Sequence, residues 1–149
     1  MHHKKLNTIY IIMTGTKLQE LLDAHCLEMK ANMPGFLFYG ILSCKDGTIL
    51  SKASANEESS KIVEQSSAFH LTIVDQVKKV MNSNKSMGET ALDYILIEAD
   101  KITYMLMISA LGKFFSITAL DRLKSNIGIS RALLYKCKAE FGTMLDDFF

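Results

Sequence analysis

Hydrophobic residues recur three or four positions apart in three segments, and this spacing predicts amphipathic helices. The first helix follows Thr16, a suitable N-cap, and ends at Pro34–Gly35, which holds the only proline of the chain. The second covers about 59–81 and carries a broad apolar stripe. The third follows Asp121, with Ser125–Asn126 as an alternative start because both residues are good helix caps.

Between these helices, the apolar residues form short runs that alternate weakly or not at all. Such runs are typical of strands that are covered on both faces. Asp46–Gly47 separates the first two runs, and both residue types tolerate the positive φ angles of a tight hairpin. The predicted strands cover 36–44, 48–51, 92–98, 102–108 and 114–120.

This order of elements predicts a single α+β domain, which suits a chain of 149 residues. The expected architecture is a five-stranded antiparallel sheet sandwiched by helices, in the order α-β-β-α-β-β-β-α. The apolar strands need cover on both faces, and three amphipathic helices can supply it. We assign residues 16–149 to this domain and residues 1–15 to an N-terminal extension, in which Met13 is an alternative start of the functional chain.

Composition argues against several classes of function. The chain has 17 Lys+Arg and 16 Asp+Glu, a formal net charge of +1, so it lacks the basic excess of a dedicated nucleic-acid or acidic-membrane surface. No apolar run approaches the ~20 residues of a membrane span. The three cysteines are Cys26, Cys44 and Cys137, an odd number that favours core residues in a reducing compartment over a disulfide framework. We therefore predict a cytoplasmic protein without a membrane span.

The sequence contains no recognisable motif for catalysis, a cofactor or a metal ion, and we predict none of the three. Gly112–Lys113 lacks the spacing of a phosphate loop, and G-x-G-x-x-G, C-x-x-C and H-E-x-x-H are absent. His25 and His70 fall on different helices without a Cys or carboxylate at ligand spacing, so we interpret both as structural histidines. An enzyme whose site is assembled from distant residues stays open as an alternative.

Two further features leave other functions open. The last helix carries five basic residues, which favours a solvated face but keeps phosphate contacts to nucleic acid as an alternative. The nine methionines are typical of residues that fill gaps in a core, and they could also line an adaptable pocket. Our alternative function is therefore a small-molecule-sensing domain on a similar α/β sandwich.

The order of elements resembles that of the roadblock family, the dynein light-chain roadblock-type domain. Gly40–Leu50 resembles the first hairpin of that family with its Asp–Gly turn, and Ser125–Arg131 resembles the Asn-x-Gly-x entry to its final helix. The layout matches from Thr16 to about Phe141, and both termini fall outside it. The resemblance implies a roadblock/profilin-like fold without catalytic residues of its own.

The resemblance also implies a function, because roadblock domains typically form two-fold dimers through the second helix and the third strand. They act as platforms for small Ras-like GTPases or motor subunits. The second helix here has more apolar surface than its own sheet needs, and the third strand would otherwise leave an open sheet edge.

We therefore predict a non-enzymatic interaction or scaffold module that pairs with itself or a related roadblock-type subunit and regulates a small Ras-like GTPase. Packing of the same residues within one chain is the alternative to this dimer. The predicted interface consists of Ile62, Val63, Ser66, Phe69, Ile73 and Val77 from the helix and Tyr94 and Leu96 from the strand.

Overall fold

The computed structural model describes residues 15–83, 86, 88 and 91–148. The alternative start at Met13, most of the predicted extension and the terminal Phe149 lie outside this part of the chain. The helices are α1 (Gly15–Asn32), α2 (Glu57–Ser83), α3 (Ile127–Cys137) and α4 (Thr143–Phe148), with a π-helical turn at Lys138–Gly142. The strands are β1 (Phe36–Ser43), β2 (Ile49–Ser54), β3 (Tyr94–Glu98), β4 (Ile102–Ile108) and β5 (Phe114–Asp121).

The five strands form one antiparallel sheet in the order β2-β1-β5-β4-β3. The predicted α+β class is confirmed, and the predicted order of elements holds as far as α3. The π-helical turn and α4 follow the third helix, with which the predicted order ends, and were not predicted. Leu145 of α4 is buried in the core, so the C-terminal residues contribute to the packing of the domain.

Helices cover both faces of the sheet, with α1 and α3 on one face and α2 on the other. Consecutive strand residues point to opposite faces, so the neighbours Phe38 and Tyr39 are both fully buried but lie in different core clusters. Tyr39 belongs to the cluster of Leu22 and Leu134, whereas Phe38 belongs to that of Val74. This burial on both faces accounts for the nearly unbroken apolar runs in the sequence.

The turn between β1 and β2 is the one expected from the sequence. Gly47 has a φ angle of +76°, which a residue with a side chain rarely adopts. The side chain of Asp46 accepts a hydrogen bond from the backbone N–H of Thr48 at 3.0 Å. The Asp–Gly hairpin on which the resemblance rests is therefore present.

Asparagine side chains set the starts of two helices. The Asn126 side chain accepts a hydrogen bond from the Ile129 N–H at 3.0 Å, so α3 begins at the predicted alternative start. Asn56 accepts one from the Ser59 N–H at 2.8 Å, and α2 begins at Glu57. The helix thus begins two residues before the predicted start at about 59, because polar residues that cap a helix are similar in composition to those of a loop.

A buried carboxylate anchors α4 to the turn between β4 and β5. The Asp146 side chain is 1% exposed and accepts hydrogen bonds from the Ser109 hydroxyl at 2.8 Å and the Leu111 N–H at 2.7 Å. Its backbone carbonyl accepts a third from the Lys113 ammonium at 3.0 Å. The C-terminal helix is thereby fixed to one end of the sheet.

Candidate interaction surface

Within the described residues, the backbone of β3 is open on its outer side. The Asp93 carbonyl accepts a hydrogen bond from the Ile108 N–H, and the Ala99 N–H donates one to the Ile102 carbonyl. Because bonded and non-bonded residues alternate in an antiparallel ladder, the backbone groups of Tyr94, Leu96 and Glu98 point away from β4. No residue in the described part of the chain forms a hydrogen bond with these outward groups.

The opposite edge of the sheet, formed by β2, is partly occupied. The Gln19 side chain of α1 donates a hydrogen bond to the Leu50 carbonyl at 2.8 Å. Lys52 of β2 forms an ion pair with Glu64 of α2. The two edges therefore differ, and β3 is the one that can accept another strand along its length.

The broad apolar stripe of α2 divides into two faces in the structure. Val63 and Val74 are buried against the sheet at 2% and 0% exposure. Ile62, Phe69 and Val80 face outward, with 45%, 70% and 64% of their surfaces exposed. Neighbouring residues such as Ile62 and Val63 lie about 100° apart around a helix, so one stripe can serve both the sheet and a second surface.

The prediction that Val63 lies at an interface needs correction. Its side chain is part of the core between α2 and the sheet and has almost no surface left to offer another chain. Ile73 and Val77 are half-buried and adjoin the outward face. Ser66 is also half-buried, and its hydroxyl donates to the Ile62 carbonyl at 2.9 Å, so it brings no unpaired polar group into the stripe.

The side chains of Tyr94 and Leu96 lie on the face of the sheet opposite α2. Tyr94 packs against the cluster of α1 and α3, and its hydroxyl accepts a hydrogen bond from Arg131 at 3.3 Å. Ile95 and Ile97 point to the α2 face, where they are only half-buried. The predicted interface does not include these two residues, because the weak alternation over 92–98 does not show which set of side chains shares a face with α2.

These features border the same face of the sheet, and we call them together the open-edge surface. Ile73 of α2 and Ile95 and Ile97 of β3 all pack against the same core cluster. The surface comprises the outward backbone of β3 and the side chains of Ile62, Ser66, Phe69, Ile73, Val77, Val80, Ile95 and Ile97.

His25 of α1 and His70 of α2 are both buried. The His25 ring nitrogen Nε2 lies 2.9 Å from the Tyr39 hydroxyl and 2.9 Å from the Cys137 sulfur. The His70 ring lies against Tyr104 with a centroid separation of 5.0 Å, and its Nδ1 has no hydrogen-bond partner among the described residues. Burial lowers the pKa of each imidazole, an effect that Glu28 partly opposes at His25 and the Ser66 backbone partly opposes at His70.

The stability of the fold is expected to fall between pH 7 and pH 5. Both histidines have a folded-state pKa below the ordinary value of 6.5, so the unfolded chain binds protons more readily. The stability that the two neutral histidines contribute is fully present at pH values above the ordinary pKa of 6.5. It is lost as the pH falls through their lowered folded-state pKa values. Melting curves should show this loss, and the double variant His25→Gln/His70→Gln should show a flatter pH dependence. Equal melting temperatures at both pH values would contradict the expectation.

Cys137 and His25 are the residue types of a catalytic nucleophile and its general base, but their pKa values do not favour an activated thiolate. Burial raises the pKa of the Cys137 thiol to about 11, and it lowers that of His25. Both shifts favour the neutral forms, whereas an activated cysteine is a thiolate.

Across the described residues, no three His, Cys, Asp or Glu side chains are grouped as metal ligands. Of the helices described, none is both long enough and apolar enough to cross a membrane.

Several basic residues near α3 are engaged within the chain. Arg122 donates to the Ala99 carbonyl at 2.8 Å, and Lys138 binds the Asp93 carboxylate at 2.5 Å. The Asp93 pKa is lowered by Lys138 first and by Tyr135 second. With Arg131 bound to Tyr94, three of the five basic residues have intramolecular partners, which favours a structural role over phosphate contacts.

The methionine-rich core contains little free space. An apolar cavity of about 40 Å³ lies beneath the π-helical turn, lined by residues that include Tyr39, Met107, Leu134 and Phe141. Ligand pockets usually measure about 300–1,000 Å³. This cavity gives the small-molecule-sensing alternative no support.

Comparisons with known proteins identify similar folds but no similar sequences. No protein-family model matches the chain, and no curated protein matches it significantly. MglB from Myxococcus xanthus superimposes with a TM-score of 0.70 at 13% identity, covering 93% of this chain and 96% of that one. The gliding protein MglB from Thermus thermophilus gives 0.67 at 7% identity, covering 91% and 95%.

A third solved structure carries the name of the family that the sequence resembles. The Roadblock/LC7 domain from Streptomyces avermitilis superimposes with a TM-score of 0.54 at 13% identity, covering 79% of this chain and 95% of that one. At such identities, the likeness concerns the fold. This chain therefore has a roadblock-type fold.

Proposed function

We propose that the chain is a non-enzymatic scaffold module that dimerises through the open-edge surface, either with itself or with a related roadblock-type subunit. The proposal is carried by the outer backbone of β3, which has no partner among the described residues, together with the exposed apolar face of α2. An open strand and an exposed apolar patch are each unfavourable in an isolated domain. One contact between two copies would remove both.

A two-fold axis beside β3 provides the required geometry. Two β3 strands can pair in antiparallel fashion, because the same outward groups of Tyr94, Leu96 and Glu98 are presented by each copy. The two sheets then join, and the α2 helices lie side by side on one face. Phe69 becomes buried, and full burial of such a side chain contributes about 1.5–3 kcal/mol.

The proposed role of the dimer is to bind and regulate a small Ras-like GTPase. This part rests on the resemblance to roadblock-type domains, which act as platforms for such GTPases, and is supported by the roadblock-type fold. Side-by-side α2 helices would provide a broad platform that neither copy has alone.

Replacement of Leu96 by Pro is expected to prevent dimerisation while leaving the sheet of each copy intact. The Leu96 N–H points outward and makes no bond to β4, so proline removes only a donor that a second copy would use. Sedimentation equilibrium should give twice the 16.7 kDa chain mass for the unmodified protein and 16.7 kDa for the Leu96→Pro variant.

Leu96→Thr is the matched control, because it shortens the same side chain but keeps the N–H, and we expect it to remain dimeric. Retention of a Ras-like GTPase by the dimer but not by Leu96→Pro would support the proposed role. An unmodified protein that is monomeric throughout the micromolar range would contradict dimerisation. A Leu96→Pro variant that stays dimeric would place the interface elsewhere.

A further inference from the structure

A wide cleft opens at one end of the sheet, between the β1–β2 turn and the β4–β5 turn. Its volume is about 630 Å³, within the usual size range of small-molecule sites. No residue of β3 lines it, so an inference about the cleft does not depend on the proposed dimer. Three lysines line the cleft, Lys45, Lys78 and Lys113, together with one carboxylate, that of Asp46.

Two of the lysines are held in place by neutral oxygen atoms. The Lys78 ammonium donates a hydrogen bond to the Gly112 carbonyl at 2.9 Å, and the Lys113 ammonium donates one to the Asp146 carbonyl at 3.0 Å. A lysine ammonium has three N–H donors, so Lys113 keeps two for a ligand, and Lys78, which also bonds the Cys44 side chain, keeps one. Backbone carbonyls fix the position of the charge without neutralising it.

Two nearby carboxylates have hydrogen-bond donors other than these lysines. Asp46 is turned toward the Thr48 N–H, which lowers the pKa of its carboxyl group. The Asp146 carboxylate is occupied by Ser109 and Leu111. Among the described residues, none of the three lysines forms an ion pair. The residues that line the cleft therefore carry three ammonium groups and one carboxylate, in a chain whose formal net charge is only +1. Asp75 and Asp146 do not line the cleft, although their charges act on the lining residue Cys44.

We propose that this cleft binds the phosphate group of a small organic phosphate. Ammonium groups bind phosphate through charge-assisted hydrogen bonds, and concave walls of low polarity strengthen the field of the charges that line them. Leu50 and Phe114 provide such walls. The cleft is larger than an inorganic phosphate requires, which leaves space for the organic part of the ligand.

A soluble nucleotide and a lipid headgroup both present this chemistry, and two assays distinguish them. Isothermal titration calorimetry with ATP, without magnesium, measures binding of the soluble class. Co-sedimentation with phosphatidylcholine vesicles that contain a phosphoinositide measures the lipid class. Binding in either assay should weaken as the salt concentration rises, because the contacts are ionic.

Substitutions of single lysines test the location of the site. Lys78→Gln should weaken binding at least about tenfold, since a hydrogen bond to a charged group is lost. Lys45→Gln should weaken binding about threefold; its exposed side chain makes this variant safe for folding. Lys79→Gln is the control, because Lys79 is exposed on α2 and does not line the cleft. Absence of binding in both assays, or equal weakening by Lys79→Gln, would overturn the proposal.

Discussion

Replacement of Phe69 by Asp is expected to convert the proposed dimer into a folded monomer. Phe69 is 70% exposed on the outer face of α2, so a carboxylate there remains hydrated in the isolated chain. In the dimer, the same carboxylate would be buried in an apolar contact without a positively charged partner. The two-fold symmetry would bury one such carboxylate from each copy. An unpaired buried charge costs several kcal/mol, more than an interface of this kind can offset.

The measurement is sedimentation equilibrium, combined with a melting curve to show that the variant is folded. Leu123→Asp is the control, because Leu123 is 92% exposed in the connection between β5 and α3 and is not one of the residues that form the open-edge surface. We expect this variant to remain dimeric. Should Phe69→Asp also remain dimeric, α2 would not belong to the interface, even if Leu96→Pro had shown that β3 does.

The arrangement of helices and strands could be predicted because the core has two faces. Strands such as β1 are buried on both sides, and their residues are apolar almost without interruption. Each helix covers one face and shows an apolar stripe. Turn residues such as Asp46–Gly47 mark the breaks between these segments. Local sequence patterns were therefore enough to predict the fold class.

The candidate surface was predictable only in part. The sequence showed that α2 has more apolar residues than one face requires, but not which of Ile62 and Val63 faces the sheet. In β3, either Tyr94 and Leu96 or Ile95 and Ile97 could lie on the face of the sheet that α2 covers. Pairing with β4 decides which pair does. A shift of one residue moves every side chain to the other face, and weak alternation does not fix that choice.

Contacts between residues far apart in the sequence could not be predicted at all. Tyr39 and Cys137 meet although they are 98 positions apart in the sequence, and His25 contacts both. The burial of Asp146 depends on the turn at Ser109–Leu111, although its neighbour Asp147 is exposed. Such contacts are set by the packing of whole elements, and no local spacing signals them.

Gly35→Ala is expected to cause the largest loss of stability among single substitutions at turns. Gly35 has a φ angle of +70°, and a side chain in this conformation costs about 1–2 kcal/mol. An added Cβ would also lie 2.9 Å from the Ser125 nitrogen and 3.0 Å from the Asp121 oxygen. Both are backbone atoms, so rotation of a side chain cannot relieve the contact.

The two connections that meet at Gly35 are already tied together. The Gly35 carbonyl accepts a hydrogen bond from the Asp121 N–H at 2.7 Å, and the Asp121 carbonyl accepts one from the Ser125 N–H at 2.9 Å. Displacing this backbone would disturb the end of β5 and the start of α3 together. We expect a loss of about 3 kcal/mol or more, equivalent to a fall in melting temperature of roughly 6–12 °C.

Gly88→Ala separates the effect of conformation from that of the close contact. Gly88 has a similar φ angle of +79°, but no atom of the other described residues lies within 4 Å of the position that a Cβ would take. This variant should therefore lose only the conformational part, about 1–2 kcal/mol. Both should be melted at the same protein concentration, because dimerisation would stabilise the folded state. Equal losses would show that the backbone around Gly35 can move aside, and that the two connections are not rigidly joined.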